Sequence, residues 1–158
     1  MSQINPPNQE DLNRQLLEAV DSGKRSVVER LLARGANVNT TDLMKNTPLQ
    51  KALFHNDIAM AELLLNGGAA VNTENLVGNT PLHQAVKNCG NLLFSKKILD
   101  LGATIIQNKV GETPLDMAVS KGCTDIAILL LDYGAPISYK TIELAEKSPE
   151  IQNLILAF

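Results

Sequence analysis

Hydrophobic and polar positions along this chain fall into paired helical stripes that return on a fixed period. Apolar residues at Leu12, Leu16, Ala19 and Val20, then at Val27, Val28, Leu31 and Leu32 after the polar turn Asp21, Ser22, Gly23, predict two short amphipathic helices. The pattern comes back as Leu49, Ala52 and Leu53 followed by Ile58, Ala61, Leu64 and Leu65. It returns again as Leu82 and Ala85 before Ile98 and Leu99, and as Leu115 and Ala118 before Ile126, Leu130 and Leu131. The triplet Thr47, Pro48, Leu49 recurs 33 residues later as Thr80, Pro81, Leu82 and 33 later again as Thr113, Pro114, Leu115. A Gly-Ala pair follows each unit at Gly35-Ala36, Gly68-Ala69, Gly102-Ala103 and Gly134-Ala135. Self-similarity at a period of this length means a repeat protein.

The Thr-Pro pair has a local cause. A Thr hydroxyl can accept a hydrogen bond from an otherwise unpaired N–H of the first turn, and Pro at the first helical position loses nothing by lacking its own N–H. Small Ala52, Ala85 and Ala118 on the first helix let the second pack closely. Asn56, which tolerates left-handed geometry, turns one helix into the next. Thr80 to Gly102 is one residue longer than the equivalent spans, with the insertion near Asn88, Cys89 and Gly90, and the following loop is one shorter. The first unit has Arg14 and Gln15 where the others have Thr-Pro, and the last, after Ile137, has only a short helix around Ile142, Leu144 and Ala145. A final helix starts at Ser148 and Pro149, with Ile151, Leu154, Ile155 and Phe158 on one face. Both ends read as capping units.

Thr-Pro-Leu-His-Gln-Ala at Thr80 to Ala85, with Gly-Ala-Asn-Val-Asn at Gly35 to Asn39, resembles the ankyrin repeat, over about residues 9–158. The resemblance implies an all-α ankyrin-repeat solenoid of about five helix-turn-helix units joined by β-hairpin-like finger loops, with fingers and inner helices forming a concave face. The expected organisation is a disordered lead-in at residues 1–8, ending on Asn8 as a helix cap, and a repeat domain at 9–158. Within it lie an N-cap at 9–38, repeats at 39–71, 72–105 and 106–137, and a C-cap at 138–158. The fingers, at Asn39 to Asn46, Asn72 to Asn79 and Ile106 to Glu112, are too short for another helix. The family's motif His is present only as His83; Gln50 and Asp116 replace it elsewhere. The third finger lacks Asn at Ile106, and its shortening predicts an irregular hairpin.

With 44% hydrophobic residues, 3% aromatic and no Trp, the core must be aliphatic. The formal charge of −3 comes from 14 basic and 17 acidic residues with no basic patch, which speaks against nucleic acid and anionic membranes as partners. No run approaches a membrane span of about 20 apolar residues, and Met1 to Gln9 hold no secretory signal pattern. The expected location is cytoplasmic, or a host cell for a translocated bacterial effector. Cys89 and Cys123, at non-equivalent places in their repeats, are read as free thiols of a reducing compartment.

No catalytic, cofactor or metal constellation has workable spacing. His55 and His83 lack a partner at ligand distance, and the glycines end helices instead of cradling phosphate. The chain is read as a non-enzyme, a monomer that binds another protein. Residues at the positions where the resemblance puts partner contacts are Leu43, Met44, Asn46, Phe54 and His55 in the second unit. Leu76, Val77, Asn79, Lys87 and Asn88 follow in the third, and Lys109, Val110, Glu112, Ser120 and Lys121 in the fourth. Leu43, Met44, Leu76, Val77 and Val110 are either exposed anchors of an interface or side chains packed along the fingers. Inhibition or regulation of a partner enzyme, and a bacterial effector that binds a host protein, are the alternative roles.

Overall fold

Each Thr-Pro does start a helix. A computed structural model describes residues 8–87 and 89–158, and the secondary structure there is ten helices in five pairs. The chain divides into two compact units, one ending at Ala70 and the other at Val71–Phe158. The disorder expected of the lead-in falls on residues outside the described ones, but Asn8 caps the first helix, its Oδ1 accepting the Asp11 N–H at 2.8 Å.

In the first unit, α1 (Gln9–Asp21) pairs with α2 (Arg25–Ala33), and α3 (Pro48–Phe54) with α4 (Ile58–Asn66). The stripes meet as their spacing requires. Leu16, Val28, Leu31, Leu49, Met60 and Leu64 are buried, and α1 packs on both α2 and α3. Ala19 and Ala52, also buried, keep the paired helices close.

In the second unit, α5 (Pro81–Val86) pairs with α6 (Leu92–Asp100), α7 (Pro114–Lys121) with α8 (Thr124–Asp132), and α9 (Tyr139–Ala145) with α10 (Pro149–Ala157). The inner helices α5, α7 and α9 pack in succession, and α6 lies against α8. Leu82, Ile98, Leu115, Leu130 and Ile151 form the core. Phe158, expected on the buried face of the last helix, is exposed because that helix ends at Ala157 and leaves its ring beyond the packed turn.

Gln50, His83 and Asp116 do the motif position's work by different chemistry. Each sits three residues into its helix and accepts the N–H of the capping Thr, at 2.9 Å to Gln50 Oε1, 3.1 Å to His83 Nδ1 and 2.9 Å to Asp116 Oδ2. In the second unit the far side of the group then ties one repeat to the next. His83 Nε2, which must carry the ring proton, donates to the Glu112 carbonyl at 3.2 Å, and Asp116 Oδ1 accepts the Thr141 hydroxyl at 2.6 Å.

The turn within each of the first four helix pairs passes through a left-handed residue. Gly23, Asn56, Cys89 and Gly122 have φ of 65°, 54°, 51° and 73° and stand 33 residues apart. The inserted residue of the third repeat is therefore Gly90, between this position and the cap Asn91. A Cβ there would fall 1.6 Å from the Ala85 carbonyl oxygen, so only glycine fits.

The two cysteines are not free thiols: Cys89 and Cys123 form a disulfide, with Cα atoms 5.0 Å apart. Their unequal register is what permits it. Cys89 occupies the turn position of one repeat and Cys123 the helix cap one step past that position in the next, and stacking of the turns brings these two within disulfide reach.

Candidate functional site

The fingers contain no strand among the described residues; each tip is a tight backbone turn. Asp42 N–H donates to the Asn46 carbonyl at 3.1 Å, Asn75 to Asn79 at 3.0 Å, and Asn108 to Glu112 at 2.9 Å. An Asp or Asn side chain fills each turn from within. Asp42 Oδ1 accepts the N–H groups of Met44 and Asn46, Asn75 Oδ1 those of Val77 and Asn79, and Asn108 Oδ1 those of Val110 and Glu112. The third finger is thus not irregular at its tip. Asp42, Asn75 and Asn108 keep the 33-residue spacing, so the missing residue falls at the finger's base, before Asn108.

Because the turn's polar groups are satisfied internally, the tip side chains are thrown outward. Leu43 is 97% exposed and Val110 69%, and Met44, Leu76 and Val77 are exposed as well. Packing along the fingers does not hide them. In the second unit the two fingers stack directly: Lys109 N–H donates to the Val77 carbonyl at 3.0 Å and its Nζ to the Leu76 carbonyl at 2.8 Å. Gly78, at φ 78°, makes room, since a Cβ would come 2.8 Å from the Lys109 nitrogen.

The remaining positions divide. Asn46, Asn79 and Glu112, before each Thr, are half-buried and engaged, the first within its own finger, the second by the next finger and the third by α9. Asn46 Nδ2 donates to Asp42 at 3.2 Å, Asn79 Oδ1 accepts from Asn108 at 2.8 Å, and the Glu112 carboxylate meets Lys140 at 3.5 Å. At the ends of the inner helices, Phe54, His55, Lys87, Ser120 and Lys121 are exposed; Asn88 lies outside the described residues. Phe54 is 55% exposed and set edge-on to His55, whose Nε2 is 3.4 Å from Asp21.

Below Phe54 and His55, Lys51 bridges Asp21 and Asp42, each at 3.0 Å. Burial alone would lower its pKa, but hydrogen bonds and charge from both carboxylates outweigh that and hold it above the ordinary lysine value. Burial pushes Asp42 up, and the Asn46 backbone N–H, Lys51 and the Asn46 side chain together bring it below the usual carboxylate value. The first finger is thereby clamped to α1 and α3 from beneath, which fixes where Leu43 and Met44 point.

Leu43 borders a groove of about 470 Å³ that also takes in Leu17 and Arg14 of α1 and Thr40 and Thr41 of the finger. The motif positions did not flag Leu17. Stepping back 33 residues from Gln50 lands on it, and because the first repeat has no capping Thr for a side chain here to hold, the position is open to solvent contact.

Asn39 and Asn72 have a structural duty at the finger bases. Asn39 accepts from the Ala70 N–H at 2.8 Å and Asn72 from the Thr104 N–H at 2.8 Å, each reaching the backbone just past the Gly-Ala pair of its own repeat. Among the described residues no three His, Cys, Asp or Glu side chains stand together as a metal site, and no helix is long and apolar enough to cross a membrane.

Paired helices on a 33-residue register, each pair followed by a projecting turn, define a repeat protein. The family model of ankyrin repeats in three copies matches residues 16–109, and that of a single ankyrin repeat matches 110–142. The chain belongs to the ankyrin repeat family, whose members are generally protein-protein interaction modules. No curated protein matches the sequence significantly.

Proposed function

We propose that this chain is a non-catalytic module that binds a partner protein through its finger tips and the exposed ends of its inner helices. One observation carries the reading: Leu43, Met44, Leu76, Val77 and Val110 all face solvent at the tips of turns whose own polar groups are already satisfied. Exposed apolar side chains contribute nothing to folding where they stand, and a partner would remove them from water at roughly 25 cal/mol per Å². The clamped and stacked fingers lose little conformational freedom on docking, so a few apolar anchors can supply the affinity.

The test begins with capture of partners on the tagged wild-type chain, identified by mass spectrometry. Binding of each purified partner is then measured against the variant with Leu43, Met44, Leu76 and Val77 all changed to Ser. The expected outcome is loss of binding with the thermal midpoint almost unchanged. A partner that binds the variant as tightly as wild type would show that the fingers are not the interface.

A further inference from the structure

The outward face of the second unit breaks the repeat pattern in one place. Counting from the residue that caps the outer helix of each of the first four pairs, the second position is Ser26, Ala59, Leu93 and Asp125, and the fifth is Glu29, Glu62, Lys96 and Ile128; all eight are exposed. These are solvent positions, polar or small in six cases. The two large apolar exceptions, Leu93 at 79% exposure and Ile128 at 36%, come from different helices. They nevertheless line the same groove between α6 and α8, together with Leu92 and Leu129, about 260 Å³ in volume. That is too small and too open for most enclosed small-molecule sites, but it has the form of a seam into which a third helix could lay a ridge of side chains.

The rim says what such a helix would carry. Lys96 is already engaged, donating to Asp100 at 2.9 Å and to the Tyr133 hydroxyl at 3.2 Å. Asp125 and Asp132, on the α8 side, make no side-chain hydrogen bond or ion pair among the described residues. They stand seven residues apart, two helical turns or about 10.5 Å along the axis, and bracket Ile128 and Leu129. An apolar strip with an unneutralised carboxylate at each end complements an apolar strip with a cation at each end.

We propose that this groove binds an amphipathic helix of a partner protein, with Lys or Arg at positions seven apart and large apolar residues between them. The site lies away from the fingers and does not depend on the finger-tip reading.

The probe is a synthetic 15-residue helical peptide with Lys at positions 4 and 11 and Leu at 7 and 8, titrated into the ¹⁵N-labelled chain. A matched peptide with Glu at 4 and 11 is the control. Expected are amide shifts centred on Leu93, Asp125, Ile128 and Asp132, and affinity at least tenfold weaker for the Glu peptide. Leu93→Ser with Ile128→Ser should abolish the shifts while leaving the thermal midpoint in place, and Asp125→Asn with Asp132→Asn should erase the preference for Lys. The proposal is overturned if no shifts occur at millimolar peptide, if they centre on the fingers, or if Lys and Glu peptides bind alike. It is also overturned if the same amides shift with protein concentration alone, which would make a second copy of this chain the occupant.

Discussion

Ser95 is fully buried in α6, and its hydroxyl has no hydrogen-bond partner among the described residues. The same register position holds Val28, Ala61 and Ala127 in the other repeats, all apolar and all buried. A buried hydroxyl that has given up its water without replacement costs on the order of 1–3 kcal/mol. Ser95→Ala removes the hydroxyl and leaves a side chain the neighbouring repeats already accommodate. It is expected to stabilise the protein by about 1 kcal/mol, read as a rise in the midpoint of urea unfolding; a fall would mean the hydroxyl has a partner in solution. Leu43 shows the same logic reversed, an apolar group at an almost fully exposed position.

Between elements, His83 is the tie whose strength depends on pH. Burial lowers its pKa below the ordinary 6.5, against the opposing pull of the Glu112 carbonyl and the charges on Glu112 and Glu74. A folded-state pKa below the unfolded one means that the folded chain prefers the neutral ring. Above 6.5 neither state holds the proton and nothing is lost. As pH falls below 6.5 the unfolded chain takes up a proton that the folded chain resists, so stability declines toward the folded pKa. The thermal midpoint should therefore drop between pH 7 and 5, and His83→Gln, which copies Gln50, should flatten that drop. Asp42 acts elsewhere: its lowered pKa adds stability that is lost only as pH falls below the usual carboxylate range. An unchanged pH slope in His83→Gln would exclude His83 as the source.

For the molecule as a whole, the Cys89–Cys123 bond makes stability depend on the redox state of its surroundings. The bridge spans 34 residues of sequence, and loop-closure entropy gives it at most about 4 kcal/mol. Non-reducing purification followed by alkylation should leave both cysteines unmodified. Reductant should lower the thermal midpoint of wild type but not of Cys89→Ser with Cys123→Ser; equal response of the two would mean the bridge carries no stability. The scaffold was legible in the sequence because its causes are local. Thr47-Pro48 starts a helix by capping, Asn56 permits the left-handed turn, and apolar spacing selects the buried face wherever the chain is read. Substitutions such as His83 to Asp116 were visible too, though not the equivalence of their hydrogen bonds. The remainder needed neighbours. Whether Leu43 is exposed depends on Asp42 satisfying the turn from within. Whether Cys89 meets Cys123 depends on how adjacent turns stack, and whether Leu93 and Ile128 share a groove depends on α6 lying against α8. Sequence alone determined a register and the helices written on it; tertiary structure decided which residues far apart in that register touch, because such contacts are set by the packing of elements and not by any residue's own preference.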